Sequence, residues 1–182
     1  KTAPFQLVYV DDGSSDGSSE LLDRLQQIYP AIRVLHFDRN YGQSSAFDAG
    51  FKHSTGELVI TLDGDLQNDP RDIPKLLAEI ERGADLVCGY RVLRRDTLLK
   101  RLSSRIANFV RSRFVGDGVR DTGCTLKAMR RVCVHALVPF KGVHRFIPAL
   151  VKNAGFAIVE IPVNHRPRQF GVSKYGLGNR AL

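Results

Sequence analysis

Between residues 5 and 89 short apolar runs alternate with longer amphipathic ones, and this rhythm limits the fold more than any other property of the sequence. Runs at 5–10, 32–36, 58–62 and 85–89 are rich in β-branched residues and too short for helices; they read as strands. The intervening segments 18–29, 43–53 and 70–82 carry helical spacing, with Asp69 placed to cap the last and Pro70 to open it. Strand–helix alternation predicts parallel βαβ units: an α/β fold, one domain, with helices flanking a mostly parallel sheet. Open sheets of this kind bind ligands beyond the C-terminal ends of their strands.

Two of those ends are acidic. Leu58–Leu62 stops at Asp63-Gly64-Asp65, two carboxylates that repel unless a cation lies between them. Hard oxygen donors suit Mg²⁺ or Mn²⁺ shared with a substrate's phosphates. A polar strand-to-turn junction is the alternative. Phe5–Val10 also ends in carboxylates, Asp11-Asp12, followed by Gly13-Ser14-Ser15-Asp16-Gly17-Ser18-Ser19, with Asp16 or a nearby serine expected to cap the next helix. This turn lacks the lysine of a P-loop and the spacing of a dinucleotide fingerprint. Both strands are expected in one sheet, presenting their acidic groups along the same edge.

The 182 residues suffice for one core. No run is long enough to span a membrane and no leader is visible, but the chain opens with Lys1, so a piece of something longer is expected. Cys88, Cys124 and Cys133 lack metal-ligand spacing and read as reduced structural thiols. Charge divides the chain: residues 1–90 hold 8 Lys/Arg against 15 Asp/Glu, net −7, and residues 91–182 hold 19 against 4, net +15. An acidic half able to hold a metal thus adjoins a basic half able to meet phosphates or an anionic membrane. The few, unpatterned aromatics of the basic half and the lack of a recognition motif argue against nucleic acid. Leu98, Leu99, Leu102, Ile106, Phe109, Val110 and Phe114 share one helical face beneath a basic one, which suits either core packing or an interfacial helix. Helices near 125–137 and 143–153 and a strand near 156–163 complete the expected order.

Taken together, Val10–Ser18, Arg39-Asn40-Tyr41-Gly42 with Ala46 and Gly50, and Asp63–Gln67 resemble a family 2 glycosyltransferase of GT-A fold. Gly89-Tyr90-Arg91, Asp121-Thr122-Gly123-Cys124 and Arg168–Tyr175 narrow the resemblance to the polyprenyl-phosphate branch, which includes dolichyl-phosphate mannose synthases and undecaprenyl-phosphate aminoarabinose transferases. The resemblance implies transfer of a sugar from a nucleotide-sugar to a lipid phosphate, with inversion, at the cytoplasmic face of a membrane. It places the nucleotide at Asp11, Asp12, Gly13, Arg39 and Asp63, and the Mg²⁺ or Mn²⁺ at Asp63, Asp65 and Gln67. Catalysis falls to Asp65, Arg91 and Asp121, the last at the position where relatives with hydroxyl acceptors keep a general base. The acceptor phosphate is expected to meet Arg168, Ser173 and Lys174, with Arg101 and Arg105 added on charge alone. Residues 1–90 thus form a nucleotide and metal half, and 91–182 an acceptor half.

UDP-sugars are favoured over GDP-sugars, because Arg39–Gly42 and Asp65–Asn68 look closer to relatives that use them. Family members open with a strand ending in a Pro-x-Tyr-Asn-Glu-like turn, which this sequence lacks, and many continue beyond the equivalent of Leu182. Three other readings stay open: transfer to a hydroxyl in polysaccharide synthesis, a sugar-phosphate nucleotidyltransferase, and a non-catalytic basic module for membranes or RNA. His135, His144 and His165 show no partner pattern and read as core or surface residues.

Overall fold

The fold was taken from a computed structural model, which describes residues 4–91 and 118–167. The first half follows the expected alternation: β1 (Leu7–Asp11), α1 (Ser18–Ile28), β2 (Ile32–His36), α2 (Gln43–His53), β3 (Leu58–Thr61), α3 (Ile73–Glu81) and β4 (Leu86–Arg91). After Arg91 come β5 (Lys127–Arg130), α4 (Arg131–His135), α5 (Ile147–Asn153) and β6 (Ile158–Val163). Asp69 caps as expected: its carboxylate accepts from the Arg71 amide and Pro70 opens the helical turn, which runs as 3₁₀ over Pro70–Asp72 before α3 begins. At α1 the cap residue is Gly17, in the left-handed region, and Asp16 accepts from the Ser18 amide beside it.

Two expectations need correcting. Residues 125–137 are not one helix, because Lys127–Arg130 forms a strand before the short α4. Lys, Ala, Met and Arg all favour helix, but β5 lies between β3 and β4 and is antiparallel to both, so ladder bonds on its two edges override local preference. The strands also do not form one sheet among the described residues. β1 and β2 pair in parallel as a two-stranded sheet, and a second sheet has the order β3-β5-β4-β6, with β4 and β6 parallel.

The core belongs to the four-stranded sheet. On one face Leu76 and Ile80 of α3 pack with Val87, Leu126, Ala128 and Val163. On the other, Leu86, Cys88 and Met129 meet Ile147 and Val151 of α5, flanked by Phe47 and Phe51 of α2. Burying a side chain such as Leu76 or Leu86 contributes about 1.5–3 kcal/mol. By contrast β1, β2, α1 and α2 contribute no fully buried apolar side chain, and the buried residue there is Asp11. All three cysteines are buried thiols, and burial raises the pKa of Cys124 and pushes that of Cys133 up to about 11, as inert structural groups require.

Candidate active site

β3, β4 and the turn before β5 end at the same edge, and there the sequence-derived residues converge. A polar cavity of about 30 Å³ is lined by Asp63, Asp65, Gln67, Asn68, Arg91, Gly123, Cys124, Thr125 and His165. This volume suits a small ion or a water or two. Asp63 leaves β3 with its amide on the Thr125 hydroxyl at 3.2 Å, and its carboxylate accepts from the Gln43 amide at 3.0 Å. Burial raises the Asp63 pKa and the Asp65 charge adds to the rise, while hydrogen bonds from Thr125 and Gln43 and the charge of Lys127 oppose it. The Asp65 carboxylate accepts from the Gln67 amide at 3.2 Å, and Leu66 between them holds a positive φ of 62°. That conformation costs a non-glycine residue about 1–2 kcal/mol and persists only where the surrounding structure holds it.

No cluster of three or more His, Cys, Asp or Glu able to hold a metal occurs among the described residues. The site instead offers two carboxylates and an amide oxygen. Such hard donors fit Mg²⁺ or Mn²⁺, ions that keep waters and substrate phosphates in the remaining positions.

Arg91 and Asp121 form a bidentate pair, with Nε and Nη2 each 2.7 Å from a carboxylate oxygen, and the Arg91 amide adds a third bond at 3.3 Å. Both side chains are nearly buried, 14% and 11% exposed. The absence of a side chain at Gly123 makes room here, since a Cβ would lie 3.1 Å from Arg91 Nη2.

The second acidic turn is built differently. Asp11 is buried, and its carboxylate accepts from the Ser14 amide, the Ser19 hydroxyl and His36 Nδ1. Burial alone would raise its pKa, but bonds from Ser14, Ser19 and His36 outweigh it and hold the group well below the usual carboxylate range. Asp12 grips the following loop through Asn40 Nδ2 at 2.8 Å and the Tyr41 and Gly42 amides at 2.7 and 3.0 Å. Gly13, at φ 71°, lets the two loops touch: a Cβ there would fall 2.5 Å from the carbonyl carbon of Arg39. Arg39 is exposed, its guanidinium 5.1 Å from the centre of the Tyr41 ring. Both aspartates therefore have partners inside the protein, as the turn-capping alternative requires. Gly42, held by Asp12, immediately precedes Gln43, which bonds Asp63, so one peptide step joins the acidic turns.

Gln43, Thr125, Lys127 and His165 were not anticipated at this site. His165 lines the cavity because it follows the end of β6, which runs parallel to β4; its neighbour Arg166 bonds Asp69 at 2.8 Å and the Gln67 carbonyl at 2.8 Å. Asp72, buried at the head of α3, holds the same segment through the Asn164 amide at 2.6 Å. Arg101, Arg105, Arg168, Ser173, Lys174 and the helical face at 98–114 lie outside the described residues.

Residues 1–137 match the description of glycosyl transferase family 2. The chain belongs to this family. Among its curated family relatives, undecaprenyl-phosphate 4-deoxy-4-formamido-L-arabinose transferases of Yersinia enterocolitica and Edwardsiella ictaluri are 42% and 43% identical over 97% and 95% of the chain. Each match covers 54% of the relative, so the chain spans about half the length of these proteins. Two solved structures share the GT-A fold. One is a glucosyl-3-phosphoglycerate synthase from Mycobacterium tuberculosis bound to Mg²⁺ and UDP (TM-score 0.64, 19% identity, 89% of this chain and 60% of that one). The other is a mannosyltransferase from Pyrobaculum calidifontis bound to GDP-mannose and Mn²⁺ (TM-score 0.62, 17% identity, 86% and 45%).

Proposed function

We propose that this domain transfers a sugar, with inversion and with a divalent cation, from a nucleotide-sugar to a polyprenyl phosphate at a membrane surface. What supports this reading most is one observation: Asp63, Asp65, Gln67 and Arg91 line a single cavity at the strand ends, in a chain 42% identical to transferases that act on undecaprenyl phosphate. UDP is the favoured nucleotide, on the sequence of Arg39–Gly42 and Asp65–Asn68, and the cytoplasmic face is the proposed location.

The chemistry needs little from the protein beyond placement. A phosphate monoester has its second pKa near about 6, so at neutral pH its oxygen is ionised and attacks the anomeric carbon without a base. The bond from that carbon to the nucleoside diphosphate breaks with its electron pair going to the diphosphate. A cation held by Asp63, Asp65 and Gln67 would neutralise the charge gathering there. Asp121 already accepts three hydrogen bonds from Arg91, which suits a carboxylate that orients a cation rather than one that removes a proton from a hydroxyl. That observation favours a phosphate acceptor over a hydroxyl one. Arg91 is thereby aimed into the cavity, where two phosphates must be held in line. Asp11 and Asp12 shape the turn that receives base and ribose, and Gly13 keeps it closed against Arg39; Arg168, Ser173 and Lys174 are assigned to the acceptor on sequence resemblance alone.

The decisive experiment is a donor screen with the full-length protein, undecaprenyl phosphate in vesicles, and UDP- or GDP-sugars with and without Mn²⁺. Transfer from a UDP-sugar that Asp65→Ala abolishes without unfolding the protein is the expected result. Failure to bind any nucleoside diphosphate overturns the assignment.

A further inference from the structure

Lys127 has no part in that scheme, yet it is the largest fully buried side chain of the described residues, 1% exposed. It opens β5, opposite Thr61 of β3 and Cys88 of β4, at the edge where Asp63 follows. Strand alternation turns it to the same face as Met129, beneath α2 and the His144 turn. Its ammonium donates to the carbonyl of Cys124, a residue that lines the cavity with Asp63 and Asp65. Among the described residues it makes no ion pair. A buried ammonium bonded to one carbonyl is a destabilising arrangement unless nearby negative charge compensates it. The compensation available is the acidic cavity itself: Thr61, the cross-strand partner of Lys127, stands two residues before Asp63, and Asp63 bonds Gln43 of α2, the helix whose Phe47 and Phe51 cover the face that Lys127 shares with Met129.

We propose that Lys127 is a positioning residue, an internal cation that balances the Asp63–Asp65 cluster from below and keeps it from holding a divalent ion tightly by itself. The carboxylates stay together before the ion arrives, and the ion is retained chiefly when a nucleoside diphosphate contributes its own negative charge. This rests on reading Asp63, Asp65 and Gln67 as the metal-holding set.

The test compares wild type, Lys127→Met and Lys127→Arg by calorimetry with Mn²⁺ alone and with UDP alone. Removing the charge should tighten Mn²⁺ binding by about tenfold or more and weaken metal-free UDP binding, while Lys127→Arg stays within about twofold of wild type for both. Opposite signs for the two ligands are what loss of a charge produces and damage to the fold does not. An unchanged or weakened Mn²⁺ affinity in Lys127→Met overturns the proposal, as does an arginine variant that behaves like the methionine one. If Lys127→Met does not fold, Lys127→Gln replaces it, and if neither neutral variant folds the lysine is a structural requirement and the proposal falls. Wild-type protein that binds no Mn²⁺ even with UDP present would instead refute the metal set itself, and the proposal with it.

Discussion

Replacing Gly13 with alanine tests whether the Asp12 turn and the Arg39–Gly42 loop are held in contact by the lack of one side chain. Two costs are expected. Gly13 sits at φ 71°, where an L residue is disfavoured by about 1–2 kcal/mol. A new Cβ would also lie 2.5 Å from the Arg39 carbonyl carbon and 2.8 Å from both Arg39 Cα and the Asn40 nitrogen. These are backbone atoms, so the loop itself must move, and overpacking of this kind costs about 1–3 kcal/mol. Alanine also restricts the unfolded chain, which returns about 0.4–1 kcal/mol. The net loss is therefore about 1–5 kcal/mol, centred on about 3. Gly155 supplies the control: its φ is 88° and a Cβ there meets nothing within 4 Å, so Gly155→Ala carries the backbone cost alone, about 1 kcal/mol. Urea denaturation of the two variants reads the difference. UDP affinity should fall only for Gly13→Ala, because displacing Arg39-Asn40 disturbs the bonds Asp12 makes to that loop. Equal destabilisation of the two variants, within about 0.5 kcal/mol, would refute the close-contact argument.

Asp121→Asn should cost about 2–4 kcal/mol in chemical denaturation, because it strands a nearly buried Arg91 guanidinium, and Arg91→Met in the same chain should recover part of the loss. Asp72→Ala removes the acceptor of the Asn164 amide and side chain and of Lys75; a loss of about 2–4 kcal/mol should appear as a drop of about 6–12 °C in thermal midpoint. His144 is held neutral, with burial, then Arg145 and Lys127, pushing its pKa down to about 4. Between about pH 6.5 and 4 the unfolded chain takes up this proton and the folded one does not, so stability falls with acidification, by on the order of 3 kcal/mol. His144→Gln should remove that portion of the slope in a denaturation series across this range, and an unchanged slope would mean the ring is solvated.

The strands and helices up to Arg91 were legible because local preference, periodicity and caps agree there, as at Asp69-Pro70. β5 was not, since its identity comes from neighbours on both edges and its residues prefer helix. The carboxylates at Asp63 and Asp65 announced themselves by standing at the end of a β-branched run. Thr125 and His165 line the same cavity from the turn before β5 and the end of β6, Gln43 of α2 bonds its Asp63, and Lys127 of β5 bonds the carbonyl of its Cys124, with no spacing in the sequence to connect them. Asp11 and Asp12 look alike in the sequence, yet one is turned inward to Ser14, Ser19 and His36 and the other grips Asn40 to Gly42.

Arg91 and Asp121 lie 30 positions apart, and the chain leaves the sheet at one and returns beside it at the other. Their ion pair works as a clasp at the neck of whatever is strung between them. Loop-closure cost rises only about 0.6 kcal/mol for each doubling of length, so the sheet is nearly indifferent to the size of that insert. The clasp also fixes Arg91, one wall of the cavity, so the cavity is tied to the point where the chain leaves the sheet and not to the length that follows it.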